Sequence, residues 1–144
     1  EAAAADLVVD ASDNFATRYG ANAACLRART PLVTGAVIRM EGQVMVLPFD
    51  RADPGPCYRC TYREPPDTGE TERCSVTGVL GPVAGMIGTT LAAEAVKRLA
   101  GIDQGLAGRL LLVDGLTMEF RAIRLTRDPD CPACSAFRPA STGG

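Results

Sequence analysis

Two Cys-x-x-Cys pairs, CYRC at Cys57 and Cys60 and CPAC at Cys131 and Cys134, stand 70 residues apart in a chain of 144. Two such knuckles offer four thiolates at a spacing that suits tetrahedral Zn²⁺, with metal–sulfur distances of about 2.3 Å. Each pair lies in a segment bearing Pro or Gly, where a tight turn aims both sulfurs at one point. Four thiolates fill the coordination sphere, so the site is expected to be closed and structural. Its net negative charge and lack of an open position argue against hydrolysis at the metal. The first pair falls in a long proline-rich loop and the second follows the last expected strand, so one ion would staple that loop to the C-terminal end. Metal binding of this kind contributes on the order of 10 kcal/mol in small domains, more than exposed loop contacts supply. Two other uses of these cysteines stay open. A disulfide framework requires an oxidising compartment. A thioredoxin-like redox pair requires a CxxC opening a helix after an early strand, whereas CPAC has no helix-length sequence behind it.

The cysteines number six and histidine is absent. The missing imidazole excludes Ser-His-Asp and Cys-His nucleophile systems, His-ligated metals and the HExxH and zinc-deaminase signatures. Chemistry in this chain must run on carboxylates, thiols, backbone groups or a borrowed partner. Fifteen Lys and Arg against seventeen Asp and Glu leave a net charge of −2, with 5% aromatic residues. No basic stripe or aromatic platform points to nucleic acid. An apolar fraction of 47% is ample for a buried core. No basic segment leads into an apolar one, so no signal peptide is read and a cytoplasmic location is expected. The chain opens on Glu1 and EAAAAD, which reads as a segment whose natural start is missing.

Along the chain, Asp6–Ser12 is a short apolar run closed by Asp and Ser, expected as a buried parallel strand entering a functional loop. Asp13 is placed to cap a helix from about Asn14 to Arg29, with Phe15, Tyr19, Ala23 and Leu26 at helical spacing. Pro31 ends that helix and a second strand begins. AVIRM and QVMVLP flank Glu41-Gly42, a hairpin signal in which Gly supplies the positive φ. Asp50–Thr77 reads as a long crossover loop. A helix follows from Gly78 to Ala100, closed by Gly101, and then a strand pair around Asp114-Gly115. Cys74–Ala93 carries no charge for 20 residues. Its Gly, Thr and Pro82 dilute the hydrophobicity, and Gly81, Gly85 and Gly88 read instead as a surface for close backbone approach at a helix or subunit contact; no membrane span is expected. Residues 1–136 form one α/β domain on this reading, and 137–144 a flexible tail.

Two cysteines stand outside the knuckles. Cys25, beside Leu26 in the first helix, reads as a small core hydrophobe. Cys74 follows Glu72-Arg73 and precedes the glycine-rich helix, a setting that lowers a thiol pKa and makes a usable nucleophile. An inert half-buried Cys at a loop–helix junction fits the same position.

Taken in order, DLVVDASDNFATRYGANAAC, PLVTGAVIRMEGQV, GPCYRCTY, CSVTGVLGPVAGMIGTTLAAEAVKRLAG, GRLLLVDG and RDPDCPAC resemble the ThiF/MoeB/HesA proteins, bacterial relatives of ubiquitin-activating enzymes. The resemblance runs from Asp6 to Ser135. It implies the C-terminal part of a Rossmann-like fold, a mixed sheet with helices and a four-cysteine zinc staple. It further implies an ATP-dependent adenylyltransferase that activates the C-terminal glycine of a ubiquitin-like sulfur carrier (MoaD- or ThiS-like), serving molybdopterin or thiamine biosynthesis, and homodimerisation. By the same resemblance Asp13 matches the carboxylate that holds Mg²⁺ at the ATP phosphates and Asn14 a nucleotide contact. Cys57, Cys60, Cys131 and Cys134 match the structural zinc ligands. Cys74 matches a cysteine that in some members joins the carrier as a thioester or acyl-disulfide. Without the resemblance, Asp13 reads as a helix cap.

One departure from the family is large. Its nucleotide half, with a Gly-rich strand–helix turn, an acidic ribose contact and phosphate-gripping Arg and Lys, has no counterpart here. No GxG occurs anywhere in the chain. The chain alone is therefore expected neither to bind ATP tightly nor to adenylate a carrier. A zinc-stapled module for carrier docking or dimerisation, without catalysis, is the alternative reading, and a redox or metal-carrier protein a third.

Overall fold

The computed structural model describes residues 1–63 and 78–137. Its framework is a five-stranded mixed sheet in the order β1-β2-β3-β4-β5, built from β1 (Val8–Asp10), β2 (Leu32–Ile38), β3 (Glu41–Leu47), β4 (Arg109–Asp114) and β5 (Glu119–Arg124). The helices are α1 (Phe15–Ala28), α2 (Tyr58–Thr61) and α3 (Gly81–Leu99), with 3-10 turns at Ala2–Ala4 and Ser135–Phe137. β1 and β2 pair in parallel, Val8 opposite Leu32 and Asp10 opposite Thr34, with α1 as the crossover. Every later pairing is antiparallel.

The strands sort their side chains by the two-residue period of an extended chain. Leu32, Met45, Leu47 and Leu110 enter one core with Cys25 and Leu26 of α1 and four knuckle residues. Val33, Val44, Val46 and Val113 face the other way, against Ile87 and Leu91 of α3. The sheet thus has α1 and the cysteine segments on one face and α3 on the other, the layered arrangement that buries both sides of a sheet. β1 lies at the sheet's edge and is only half buried: Val9 is 49% exposed, against the expectation of a strand covered on both faces. Every residue of β5 is exposed.

The β2–β3 hairpin turns at Arg39-Met40, two residues earlier than its glycine implies. Arg39 takes the left-handed conformation at φ 52°, while Gly42 is already in β3 opposite Val37. Gly42 is small for a packing reason: a Cβ there would overlap the Ile87 side chain of α3. Gly35 serves the same helix, since a Cβ there would lie 2.8 Å from Leu91 Cδ1.

α1 also buries a different stripe from the one its aromatics mark. Arg18, Asn22, Cys25 and Leu26 are buried, while Phe15, Tyr19 and Ala23 are half-buried. The neighbour of α1 is the polar backbone of the knuckle segment as well as the sheet, so polar residues serve on its inner face. Cys25 is fully buried in the core. α2 sits inside the long connection that reads as loop, and α3 begins at Gly81, three residues later than Gly78. Gly101, at φ 73°, follows the end of α3 in the left-handed conformation usual after a helix. Phe137, assigned by sequence to the tail, packs against the first core. Among the described residues no helix is long and apolar enough to cross a membrane.

Candidate metal centre and adjoining cleft

Cys57 precedes α2 and Cys60 lies in its single turn, which places both sulfurs on one side. Cys131 and Cys134 sit in the tight turn after β5, where Cys131 N–H donates to the Asp128 carbonyl and Ser135 N–H to the Cys131 carbonyl. The four Sγ atoms lie within 4.8 Å of one another. Cys57 and Cys131 approach to 3.6 Å, Cys60 and Cys134 to 3.4 Å, and Cys57 and Cys60 to 4.0 Å. A tetrahedron with metal–sulfur distances of about 2.3 Å has edges of about 3.8 Å, so the sulfurs already describe the polyhedron that a thiophilic ion requires. Cys57, Cys131 and Cys134 are fully buried, so the cluster is closed to solvent on most sides. Four such thiols fit a metal ion, and the group joins two segments far apart in sequence, as the spacing of the knuckles requires.

Their acidities are divided. Cys57 is raised, first by its hydrogen bond with Cys60 and then by burial. Cys134 is raised to about 12 by burial and by Cys60. Cys60 is lowered to about 5, chiefly by its hydrogen bond with Cys57, against the opposing effect of its own burial. The physical content is that one buried negative charge is tolerated at Cys60 because its neighbours donate to it, while further charge waits for a cation. Around the cluster, Arg127 donates to the Cys134 and Phe137 carbonyls at 2.9 Å, and Arg63 pairs with Asp128 at 2.6 Å. That pair holds Asp128 below the usual carboxylate range.

The second site begins where β1 ends. Asp10 is buried, and its two carboxylate oxygens accept from Ser12 N–H and Thr34 Oγ, each at 2.9 Å. This pins the chain as it leaves the strand. Sequence reading did not single out Asp10, although an Asp two residues before a Ser at a strand end is the signal of such a turn. Asn14, not Asp13, caps α1: its Oδ1 accepts from Thr17 N–H at 2.8 Å. The correction follows from reach, since a cap must fall immediately before the first helical residue to meet the orphan N–H groups. Asp13 is consequently spared for other use. Its carboxylate is exposed and accepts a 3.3 Å hydrogen bond from Asn14 Nδ2.

Asp13 opens on a cleft of about 260 Å³ between the β1–α1 loop, the middle of β2 and the N-terminal half of α3. Ser12 and Arg18 line it beside Asp13, and Gly35, Ile87 and Leu91 form an apolar wall. The cleft lies beyond the C-terminal end of a parallel strand, where open α/β sheets receive ligands. It presents one carboxylate and one guanidinium, able to meet a cation and an anion. Arg18 also went unnoticed in sequence, where a charge within an apolar helix face gives no hint of its role. Cys74 lies outside the described residues. Gly81, Gly85 and Gly88 of α3 would meet nothing within 4 Å if each carried a Cβ, and Gly88 borders the cleft.

Comparison with known proteins points the same way along nearly the whole chain. The sequence pattern of the ThiF family matches residues 2–133. A sulfur carrier protein adenylyltransferase of Thermus thermophilus is 47% identical over 131 residues, covering 90% of this chain and 48% of that protein. The adenylyltransferase and sulfurtransferase MOCS3-1 of Drosophila pseudoobscura pseudoobscura is 46% identical over 132 residues, 91% of this chain and 29% of that protein. The chain thus spans half or less of the length of these curated relatives. Among solved structures, E. coli MccB shares the fold with a TM-score of 0.71 at 16% identity, over 90% of this chain and 39% of that one.

Proposed function

The chain belongs to the ThiF family, and from that premise we propose that it forms the carboxyl-terminal part of an ATP-dependent adenylyltransferase that activates the C-terminal glycine of a ubiquitin-like sulfur carrier. The observation that carries this reading is the 47% identity, over nine-tenths of the chain, to a sulfur carrier protein adenylyltransferase. Carrier activation of this kind serves molybdopterin or thiamine synthesis, in the cytoplasm, and the full protein works as a homodimer.

In this reading Asp13 is the carboxylate toward Mg²⁺. Magnesium takes one or two carboxylates plus phosphate oxygens, and an exposed carboxylate at a cleft mouth suits that use. When bound, Mg²⁺–ATP would supply the adenylyl group, its α-phosphorus being the electrophile for the carrier's carboxylate and pyrophosphate the leaving group. What the chain's own residues do is hold and orient. The Asp10 carboxylate fixes the turn, the Asn14 amide both caps α1 and donates to Asp13, and the apolar wall of the cleft excludes water from the reacting ends. Asn14 keeps one amide N–H for a nucleotide contact. Cys57, Cys60, Cys131 and Cys134 hold Zn²⁺ as a structural ion, in keeping with a closed thiolate cage. Cys74 is assigned the covalent link to the carrier.

The phosphate grip comes from outside these residues. The single lysine, Lys97, pairs with Glu94, and no glycine-rich phosphate turn is present. This favours, as a second reading, a zinc-stapled module that docks the carrier or pairs two subunits without catalysis. Pyrophosphate–ATP exchange dependent on the carrier separates the two. The chain joined to a family nucleotide-binding half is expected to exchange, and the 144-residue chain alone is not. No exchange by the joined protein overturns the enzyme reading; exchange by the chain alone overturns its assignment as one half.

A further inference from the structure

Ser12 is held at both of its backbone polar groups by side chains of the elements on either side of its loop. Its N–H donates to Asp10 Oδ1 of β1 at 2.9 Å, and its carbonyl accepts from Arg18 Nη2 of α1 at 2.6 Å. Peptide units are planar, so only the two dihedrals of Ser12 relate the plane carrying its N–H to the plane carrying its carbonyl. One bond to each plane restrains both dihedrals, and the second plane also carries the N–H of Asp13. The anchors are themselves fixed. Asp10 and Arg18 are buried, and the second Asp10 oxygen accepts from Thr34 Oγ at 2.9 Å. Thr34 is a buried residue of β2, directly opposite Asp10 in the parallel pairing. A buried carboxylate is costly unless its oxygens are bonded, so β2 sets how Asp10 lies and Asp10 sets the loop. An Asx turn needs only the bond to Ser12 N–H; the tie to Thr34 is additional. Ser12 and Asp13 line the cleft, whereas Asp10 and Thr34 do not.

We propose that Asp10 and Thr34 are positioning residues for Asp13: with Arg18 they lock the backbone of Ser12, so that the Asp13 carboxylate is already in place at the cleft mouth when a cation arrives. This rests on the reading of Asp13 as the carboxylate toward Mg²⁺. The Asp13 side chain is exposed and its hydrogen bond is the 3.3 Å one from Asn14 Nδ2, so its place is set mainly by where the backbone puts its Cα. A carboxylate on a wandering loop binds a cation more weakly, because the loop must be ordered at the moment of binding. The Thr34 hydroxyl removes that loss in advance. It touches neither the cleft nor Asp13, and acts through two bonds, one to the Asp10 carboxylate and one from Ser12 N–H to that same carboxylate. Partners that orient a metal-binding group without touching the ion change affinity or activity by about 10–100-fold when removed.

Thr34→Val removes the hydroxyl and keeps the shape; Thr34→Ser keeps the hydroxyl. In the 144-residue chain, with neither Mg²⁺ nor ATP, hydrogen exchange at the Ser12 amide is expected to quicken by about tenfold in Thr34→Val, with α1 and β3 still protected, and to stay at the parent rate in Thr34→Ser. In the chain joined to a family nucleotide-binding half, the Mg²⁺ concentration for half-maximal carrier-dependent pyrophosphate exchange is expected to rise about tenfold in Thr34→Val. The half-saturating carrier concentration should not move, and Thr34→Ser should match the parent. A parental Ser12 exchange rate in Thr34→Val overturns the proposal, as does an unchanged Mg²⁺ requirement. Equal losses in Thr34→Val and Thr34→Ser overturn it too, by assigning the effect to packing, and so does a rise in exchange shared by α1 and β3. Asp13→Ala keeps the two failures apart. Unchanged exchange activity and Mg²⁺ requirement in that variant overturn the reading of Asp13 itself; a loss there beside a parental Thr34→Val overturns the positioning role alone.

Discussion

Asn14 caps α1, which leaves Asp13 for the metal role proposed above. A carboxylate committed to the N–H groups of α1 would have its lone pairs spent; with Asn14 Oδ1 taking Thr17 N–H, Asp13 accepts one 3.3 Å bond from Asn14 Nδ2 and stays exposed at the cleft. Replacing Asp13 by Ala in the longer enzyme is expected to cut adenylation by about two orders of magnitude or more, the scale of losing a group that steadies transition-state charge. The thermal midpoint should be almost unchanged, because no cap is lost. Adenylation unaltered in that variant refutes the Mg²⁺ role. Gly42 shows the opposite kind of residue. In sequence it reads as a turn glycine, yet its place in β3 is set by the Ile87 side chain that fills the space of its missing Cβ. Local propensity identifies a glycine; only the partner helix says what the glycine is for.

At the scale of elements, α2 and the turn after β5 are too short to be held by their own hydrogen bonds, and the cysteine cluster is what unites them. Cys60→Ser removes one ligand and is expected to release the ion, with faster proteolytic cleavage between Asp50 and Thr77. Metal content and cleavage rate that both stay put sink the staple. The acidities set the pH response. At neutral pH Cys60, near 5, is a thiolate, whereas Cys57 and Cys134 keep their protons. An entering ion must therefore displace those two, and metal affinity is expected to rise with pH through the neutral and alkaline range. Calorimetry in buffers of different ionisation enthalpy should find two or more protons released per ion at pH about 7; uptake without proton release contradicts the division. In the metal-free chain, the depressed Cys60 contributes stability above its unfolded value and loses it as pH falls toward about 5. Cys134 contributes below its unfolded value and loses that contribution as pH rises toward about 12.

For the whole molecule, the unpaired surfaces are as informative as the core. Val96 and Leu99 of α3 are 64% and 61% exposed, and a Cβ at Gly81 or Gly85 of the same helix would meet nothing within 4 Å. A helix face that is apolar and open is expected to find a partner surface, in keeping with the homodimer proposed above. Sedimentation of the chain is expected to give the mass of two copies, and Val96→Glu, which places a charge on that face, to shift it toward one. A single-copy mass for the parent chain at high concentration removes the dimer from the proposal.

What the amino-acid order determines on its own is what depends on near neighbours and on rare residue types. Two CxxC pairs specify a tetrathiol site wherever the fold puts them, apolar runs beside the Glu41-Gly42 and Asp114-Gly115 signals mark β2 to β4, and the absence of histidine removes whole classes of chemistry. The DASDNF run marks the strand–loop–helix junction at which Asp13 stands. The tertiary structure alone decided why Gly42 is small, and that Arg18 and Asn22 face inward. Those outcomes are set by contacts between segments distant in sequence: α3 against the sheet, and the knuckle helix against α1. A polar residue on a helix reads as solvent-facing until the element packed against it turns out to be a row of backbone carbonyls and N–H groups needing partners.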